Sequence, residues 1–116
     1  ILPSSQILSW LERTAGLAAK TGLTPALAAH VGAGCVFTRW QGPDLGGERG
    51  RGLLAALSES AVNLGGAAVV EGCGVELKHH VDVWGRPRPD FAIMRQMKEQ
   101  FDPQGILSPG RFLGRL

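Results

Sequence analysis

Few side chains in this 116-residue chain could do chemistry: three histidines (His30, His79 and His80), the carboxylate of Glu71, and the thiols of Cys35 and Cys73. An imidazole that meets a carboxylate can hold a divalent cation or move a proton. His30, Glu71 and one of His79 or His80 would supply three protein ligands, the number a catalytic zinc uses. That set defines one reading, a metal-dependent enzyme. Against it, adjacent residues of a strand point to opposite faces, so His79 and His80 could not easily share a metal and read better as surface residues. Glu71 could pair with Lys78 or an arginine, or it could face a substrate pocket. The cysteines form no CxxC and have no ligand spacing to a histidine. They read as reduced, partly buried thiols of a cytosolic protein, with a disulfide between neighbouring strands as the alternative. Gly46, Gly47 and Gly50 in "GGERGRG" lack a Walker lysine and a GxGxxG before a helix, so no nucleotide site is read there.

Composition narrows the class. The chain is 44% hydrophobic and 19% charged, which suits a single globular domain over residues 1–116. A chain of this size buries about 65% of its unfolded surface, enough for a small core without staples. Lys+Arg number 12 against Asp+Glu 10, for a net charge of +2. Arg86, Arg88, Arg111 and Arg115 weight the C-terminal third, but no dense basic stripe with interleaved aromatics appears and there is no tyrosine. Nucleic acid is therefore not an expected partner. No apolar run approaches the ~20 residues of a membrane helix, and no signal peptide is visible. The opening Ile1-Leu2-Pro3 is read as the end of a strand in an excised piece of a longer protein.

These residues must be positioned by a small set of elements. Pro3-Ser4-Ser5 offers a helix start, and Ile7, Leu8, Leu11, Ala15 and Ala18 recur at helical spacing. Trp10 is expected at the edge of that stripe, Gly22 after the helix end, and Pro25 beyond it. Residues 26–31 and 35–41 read as a hairpin around Gly32-Ala33-Gly34. A second helix begins at Glu48, with Leu53, Leu54, Leu57, Ala61 and Leu64 on one side, and ends at Gly65-Gly66. Residues 67–72 read as a short strand, and 75–85 as either irregular chain or a short helical turn. A third helix starts at Pro89 or Asp90, packs through Met94, Met97 and Phe101, and stops at Pro103. With a truncated strand at Ile1–Pro3 the order is β-α-β-β-α-β-α-tail. The fold class is α+β: a ferredoxin-like split βαβ, an antiparallel sheet with helices on one face, plus a C-terminal helix and extended tail. The other sheet face is expected to be bare, and in a complete protein something should cover it.

The tail carries a resemblance. "MRQMKEQFDPQGILSPGRF" resembles the closing segment of FAD-linked oxidases of the vanillyl-alcohol oxidase type, K-x-x-F-D-P-x-G-x-L-N-P-G-(R/K). Lys98, Phe101, Asp102, Pro103, Gly105, Leu107, Pro109, Gly110 and Arg111 stand at the matching places, and Ser108 replaces the usual asparagine. "ELKHHVDVWG" (76–85) is similar to the FAD-binding subunit of glycolate oxidase, and "AHVGAGCVF" (29–37) to the family's H-x-G-x-G-N-x-H turn. The resemblance implies the C-terminal domain of a longer flavoprotein whose N-terminal FAD-binding domain is absent from this sequence. It also implies that Pro109-Gly110 lays Arg111 and Phe112 back over the flavin domain, making the tail an interdomain clasp.

The departures from the family are as informative. In catalytic relatives two histidines of that turn and a later glutamate bind a divalent metal that orients a hydroxy-acid carboxylate, and a base histidine follows. Hydride passes to flavin N5 and the proton to that base. Here His30 matches the first histidine and Glu71 the glutamate, while Phe37 replaces the second histidine and Gly72 stands in place of the base. One imidazole and one carboxylate are too few for a tight zinc site, so no metal and no catalytic residue is assigned. His30 is expected to be structural, hydrogen-bonded at the domain edge. The substrate- or flavin-facing candidates are His30, Glu71, Lys78 and Arg111. The expected role is a covering domain of a 2-hydroxy-acid oxidoreductase, in a supporting or electron-relaying subunit. FAD belongs to the full-length protein, and the isolated domain should be inactive and bind none. Expected partners are the missing flavin domain and other glycolate oxidase-type subunits. The expected location is cytoplasmic, either free or peripheral to the inner membrane through those subunits. The alternative is a free-standing ferredoxin-like module that binds a small ligand or forms a homodimer through its bare sheet.

Overall fold

The computed structural model describes residues 1–85 and 89–116, so Arg86 and Arg88 lie outside the described residues. The chain forms two compact units, Ile1–Val83 and Trp84–Leu116.

In the first unit a 3-10 turn at Ser4–Gln6 leads into helix α1, Ile7–Thr21. Gly22 ends it at φ 68 in the left-handed region, donating its N–H to the Ala18 carbonyl at 2.9 Å, as a glycine can at no steric cost. Strand β1, Thr24–His30, pairs antiparallel with strand β2, Cys35–Gln41, across a 3-10 turn at Val31–Ala33. Pro25 has no N–H to give a ladder and falls near the start of β1, where the loss is tolerated. Helix α2, Glu48–Asn63, follows a loop, and the short helix α3 covers Val75–Lys78.

The apolar stripe of α1 is rotated from the expected one. Ile7, Trp10 and Thr14 are buried, whereas Leu8 is 68% exposed and Ala15 lies in solvent. The cause is area: a helix turns its largest apolar side chain inward. At about 100° per residue, burying Trp10 turns Leu8 to the far side of the helix. Thr14 sits on the buried face because its hydroxyl donates to the Trp10 carbonyl at 2.9 Å, leaving that hydroxyl satisfied. Trp10 and Trp40 meet Leu2, Leu53, Leu57 and Ala61 in one core.

The α+β class stands: an antiparallel hairpin carries helices on one face. The strands expected at Ile1–Pro3 and 67–72 form no regular ladder; among the described residues the sheet has two strands, β1 and β2. Isolated rungs mark their places. Ile1 and Ala67 exchange both backbone bonds, at 2.7 and 2.9 Å, and Leu2 donates its N–H to the Gly34 carbonyl at 2.7 Å. Farther along, Val70 donates to the Val83 carbonyl at 2.7 Å instead of to a strand neighbour.

In the second unit helix α4 spans Phe91–Phe101 and buries none of its residues. Met97 and Phe101, expected to pack, are 54% and 75% exposed. So short a unit cannot enclose a core of its own, and local polar and ring contacts shape it instead.

Candidate functional site

Antiparallel register decides which side chains share a face, because residues directly opposite each other point the same way. Ala26 faces Arg39, Ala28 faces Phe37, and His30 faces Cys35. Val36 and Trp40, of the opposite parity, turn into the core. Ala26, Ala28, His30, Phe37 and Arg39 are all exposed. The hairpin therefore has a core face and a bare face, and the bare face carries His30 together with Phe37, which is 52% exposed.

Beside this hairpin lies an open groove of about 790 Å³. Phe37, Arg39 and Trp40 of β2, Leu54 and Leu57 of α2, and Glu71 are among its lining residues. Glu71 and Phe37 thus share one depression, and Gly72 also lines it. His30 is not part of the groove wall. It is exposed and has no side-chain hydrogen bond among the described residues, in contrast to the structural bond expected for it. Lys78, the last residue of α3, is exposed and forms no ion pair with Glu71 among the described residues.

His79 and His80 correct the strand argument. They follow a helical turn, with the His79 N–H bonded to the Val75 carbonyl at 3.3 Å and the His80 N–H to the Leu77 carbonyl at 3.0 Å. The alternation of a strand does not apply there; both side chains are simply exposed. Among the described residues no three His, Cys, Asp or Glu side chains are arranged to hold a metal ion. His30, Glu71 and His79 or His80 are therefore not assembled into a ligand set. Cys35 and Cys73 are free thiols, each half-buried.

The glycine-rich loop before α2 is closed to anions. A helix N-terminus attracts negative charge, but here Asp44 takes the position, its carboxylate accepting the Arg49 N–H at 3.3 Å. A side chain at Gly47 would overlap that carboxylate.

The tail motif acquires a physical role in the second unit. The Lys98 ammonium donates to the Asp102 carboxylate and to the Leu107 carbonyl, the latter at 2.6 Å. Asp102 accepts the N–H groups of Ile106 and Leu107 at 2.9 and 3.0 Å. One buried carboxylate thus folds the chain back after α4. Ser108 then adopts φ 47, a left-handed conformation that is uncommon for a residue other than glycine. The Arg111 carbonyl accepts the Trp84 indole N–H at 3.0 Å, and Trp84 meets Phe112 edge-on at 4.8 Å. The Arg111 side chain is exposed. The motif spacing marks Lys98 and Asp102 without disclosing their function, because a contact between residues 98, 102 and 107 exists only once the turn has formed.

The hydrogen bond from Lys98, with those from the Leu107 and Ile106 N–H groups, holds the Asp102 carboxyl below the usual carboxylate range, against the upward push of its burial. A depressed pKa stabilises the folded turn above the ordinary value of about 3.9 and loses that contribution as pH falls through the folded value. Amide exchange at Ile106 and Leu107 should therefore stay protected from neutral pH to about pH 5, after correction for intrinsic rates, and lose protection below about pH 4. In Asp102→Asn the acid step should disappear. An acid step that survives in the variant would assign it to another group.

Among the described residues no helix is long and apolar enough to cross a membrane. No curated protein and no solved structure gave a significant match. A family model for the C-terminal domain of FAD linked oxidases matches residues 1–112. With a bare-faced hairpin backed by helices, and with the carboxylate-centred tail after them, this chain belongs to the family of FAD-linked oxidase C-terminal domains.

Proposed function

We propose that this domain roofs the reactive face of FAD in a 2-hydroxy-acid oxidoreductase of the glycolate oxidase type, as part of its FAD-binding subunit. The observation that carries the reading is the bare hairpin face. A flavin ring is flat and largely apolar on its faces, and Ala26 and Ala28 leave the sheet backbone approachable beside the ring of Phe37. The glycine-rich start of α2 does not suit the cofactor's phosphates, because Asp44 occupies it. A covering role with the phosphates held by an N-terminal flavin domain fits both facts. When bound, FAD supplies the hydride acceptor. Glu71, in the groove beside Phe37, would set the charge next to the substrate, and Phe37 would exclude water. With Phe37 and Gly72 where relatives carry a ligand and a base, the subunit is a supporting or electron-relaying one.

The exposed apolar side chains of the second unit, Met97, Phe101, Ile106 and Leu107, support a clasp that grips the flavin domain, with Arg111 at its end. The partner subunits would hold the assembly in the cytoplasm or at the inner membrane.

The test uses the flavin-containing protein with Phe37→Asp. A carboxylate against the ring should shift the flavin absorption bands. It should also slow reduction of this flavin in the assembled enzyme on the order of tenfold or more, with the circular dichroism unchanged. An unaltered flavin spectrum and rate would remove the sheet face from the flavin site. Stoichiometric FAD binding by residues 1–116 alone would equally contradict a purely covering role.

A further inference from the structure

Permanent charge is scarce on the hairpin. Arg39 is the single Lys or Arg of its two strands. It shares the bare face with Phe37, two residues away and about 7 Å along β2. Its cross-strand neighbour is Ala26, a side chain too short to cover a guanidinium. Arg39 is exposed, and among the described residues it forms no ion pair, hydrogen bond or ring contact. A strand presents such a planar fork from a fixed backbone, as recognition of an anion requires.

The groove that Arg39 lines also holds one carboxylate. Arg39 and Glu71 are the two charged residues of its wall among the described residues. Glu71 is exposed and likewise unpaired. Opposite charges that share a depression without closing an ion pair leave the cation available to an outside anion. Trp40 adds a neutral donor. It lines the same groove, is 9% exposed, and its indole N–H has no acceptor among the described residues. Buried donors rarely stay unpaired, so the wall carries two unused donors for the oxygens of a ligand.

We infer that this groove takes a small organic acid with a single carboxylate: the Arg39 guanidinium holds that carboxylate, and Glu71 turns away acids that carry a second one. A guanidinium donates two parallel N–H bonds to a carboxylate, which fixes its plane as well as its position. Phe37, next on the same face, offers apolar surface to the attached carbons. A second carboxylate in so small a ligand comes close to Glu71, where like charges repel. Selection thus comes from one attractive and one repulsive group. Holding an anion needs no base, so the inference suits a supporting subunit. It rests on the flavin reading only in taking the acid to be a 2-hydroxy acid beside the flavin.

The test uses the flavin-containing protein at fixed ionic strength, with propanoate and succinate as unreactive probes bearing one and two carboxylates. Ligand-observed NMR should show propanoate bound about three- to tenfold more tightly than succinate. Arg39→Gln should weaken propanoate binding at least about tenfold. Arg39→Lys keeps the charge without the fork and should recover part of the loss. Glu71→Gln should bring succinate level with propanoate or past it. Propanoate binding unchanged in Arg39→Gln, a preference for succinate in the unaltered protein, or a preference for propanoate that survives Glu71→Gln would overturn the inference. Flavin absorption separates this result from the flavin reading: Arg39-dependent binding that leaves the flavin bands unmoved keeps the anion site and removes the flavin from its side.

Discussion

Trp10→Ala should lower the stability of the Ile1–Val83 unit by about 2–4 kcal/mol. Trp10 is 6% exposed and sits in the core with Leu2, Leu57 and Ala61. Deleting a buried indole typically costs about 3–5 kcal/mol in lost transfer energy and residual cavity. An opposing term exists here, because the Trp10 N–H is buried without an acceptor among the described residues. Removing an unsatisfied donor relieves about 1–3 kcal/mol. Cavity formation remains the larger effect, particularly as Trp10 already borders a small void. Trp10→Phe separates the two terms: it keeps most of the ring and removes the N–H, so its net cost should stay below about 1.5 kcal/mol. Urea unfolding reads both, as a lowered midpoint with an unchanged slope. If Phe proves as costly as Ala, the indole N–H has a partner and the account of the core is wrong.

Gly34→Val should cost about 2–4 kcal/mol, while Gly32→Ala two residues away should change stability by no more than about 0.5 kcal/mol. Gly34 has φ 67, and any side chain there would overlap the Leu2 carbonyl oxygen. The left-handed conformation costs a non-glycine residue about 1–2 kcal/mol. Relieving the overlap should break the Leu2-to-Gly34 rung, with a further cost near 1–3 kcal/mol for groups left unpaired, so about 2–4 kcal/mol results once the chain relaxes. Gly32 has open space around its α-carbon and no positive φ. The two glycines of the His30-x-Gly-x-Gly turn are thus unequal: the second is required by the backbone and by the N-terminal segment that passes against it. Thermal or urea unfolding of the two variants side by side checks this. Equal effects would show that the approach of Leu2 does not limit the turn.

The elements that local chemistry controls were legible. Helix α1 ends at Gly22, the hairpin turns at Gly32-Ala33-Gly34, and α4 stops before Pro103, each where a glycine or proline restricts the backbone. The spacing of Leu53, Leu57 and Ala61 marks the buried side of α2. The inner face of α1 escapes such reading because periodicity marks a helix but does not say which of two overlapping stripes wins; Trp10 against Leu8 is settled by the area each can bury against Leu2 and Trp40. The strand expected at 67–72 fails for a related reason. A β-propensity run becomes a strand only when a neighbour offers a ladder, and among the described residues 67–72 finds only isolated rungs to Ile1 and Val83.

The candidate site divides the same way. Residue types and spacing by themselves determined that His30 and Phe37 stand seven residues apart around a glycine turn, and that a Lys-x-x-Phe-Asp-Pro motif follows the last predicted helix. Only tertiary structure decided that His30 and Phe37 share an exposed face, that Glu71 meets Phe37 across a groove without His30 in its wall, and that Asp102 is the buried pin of the tail. The physical reason is range. Turns and helix ends are set by torsional preferences of one or two residues, whereas a face, a groove or a buried carboxylate is set by which distant surfaces exclude water from one another.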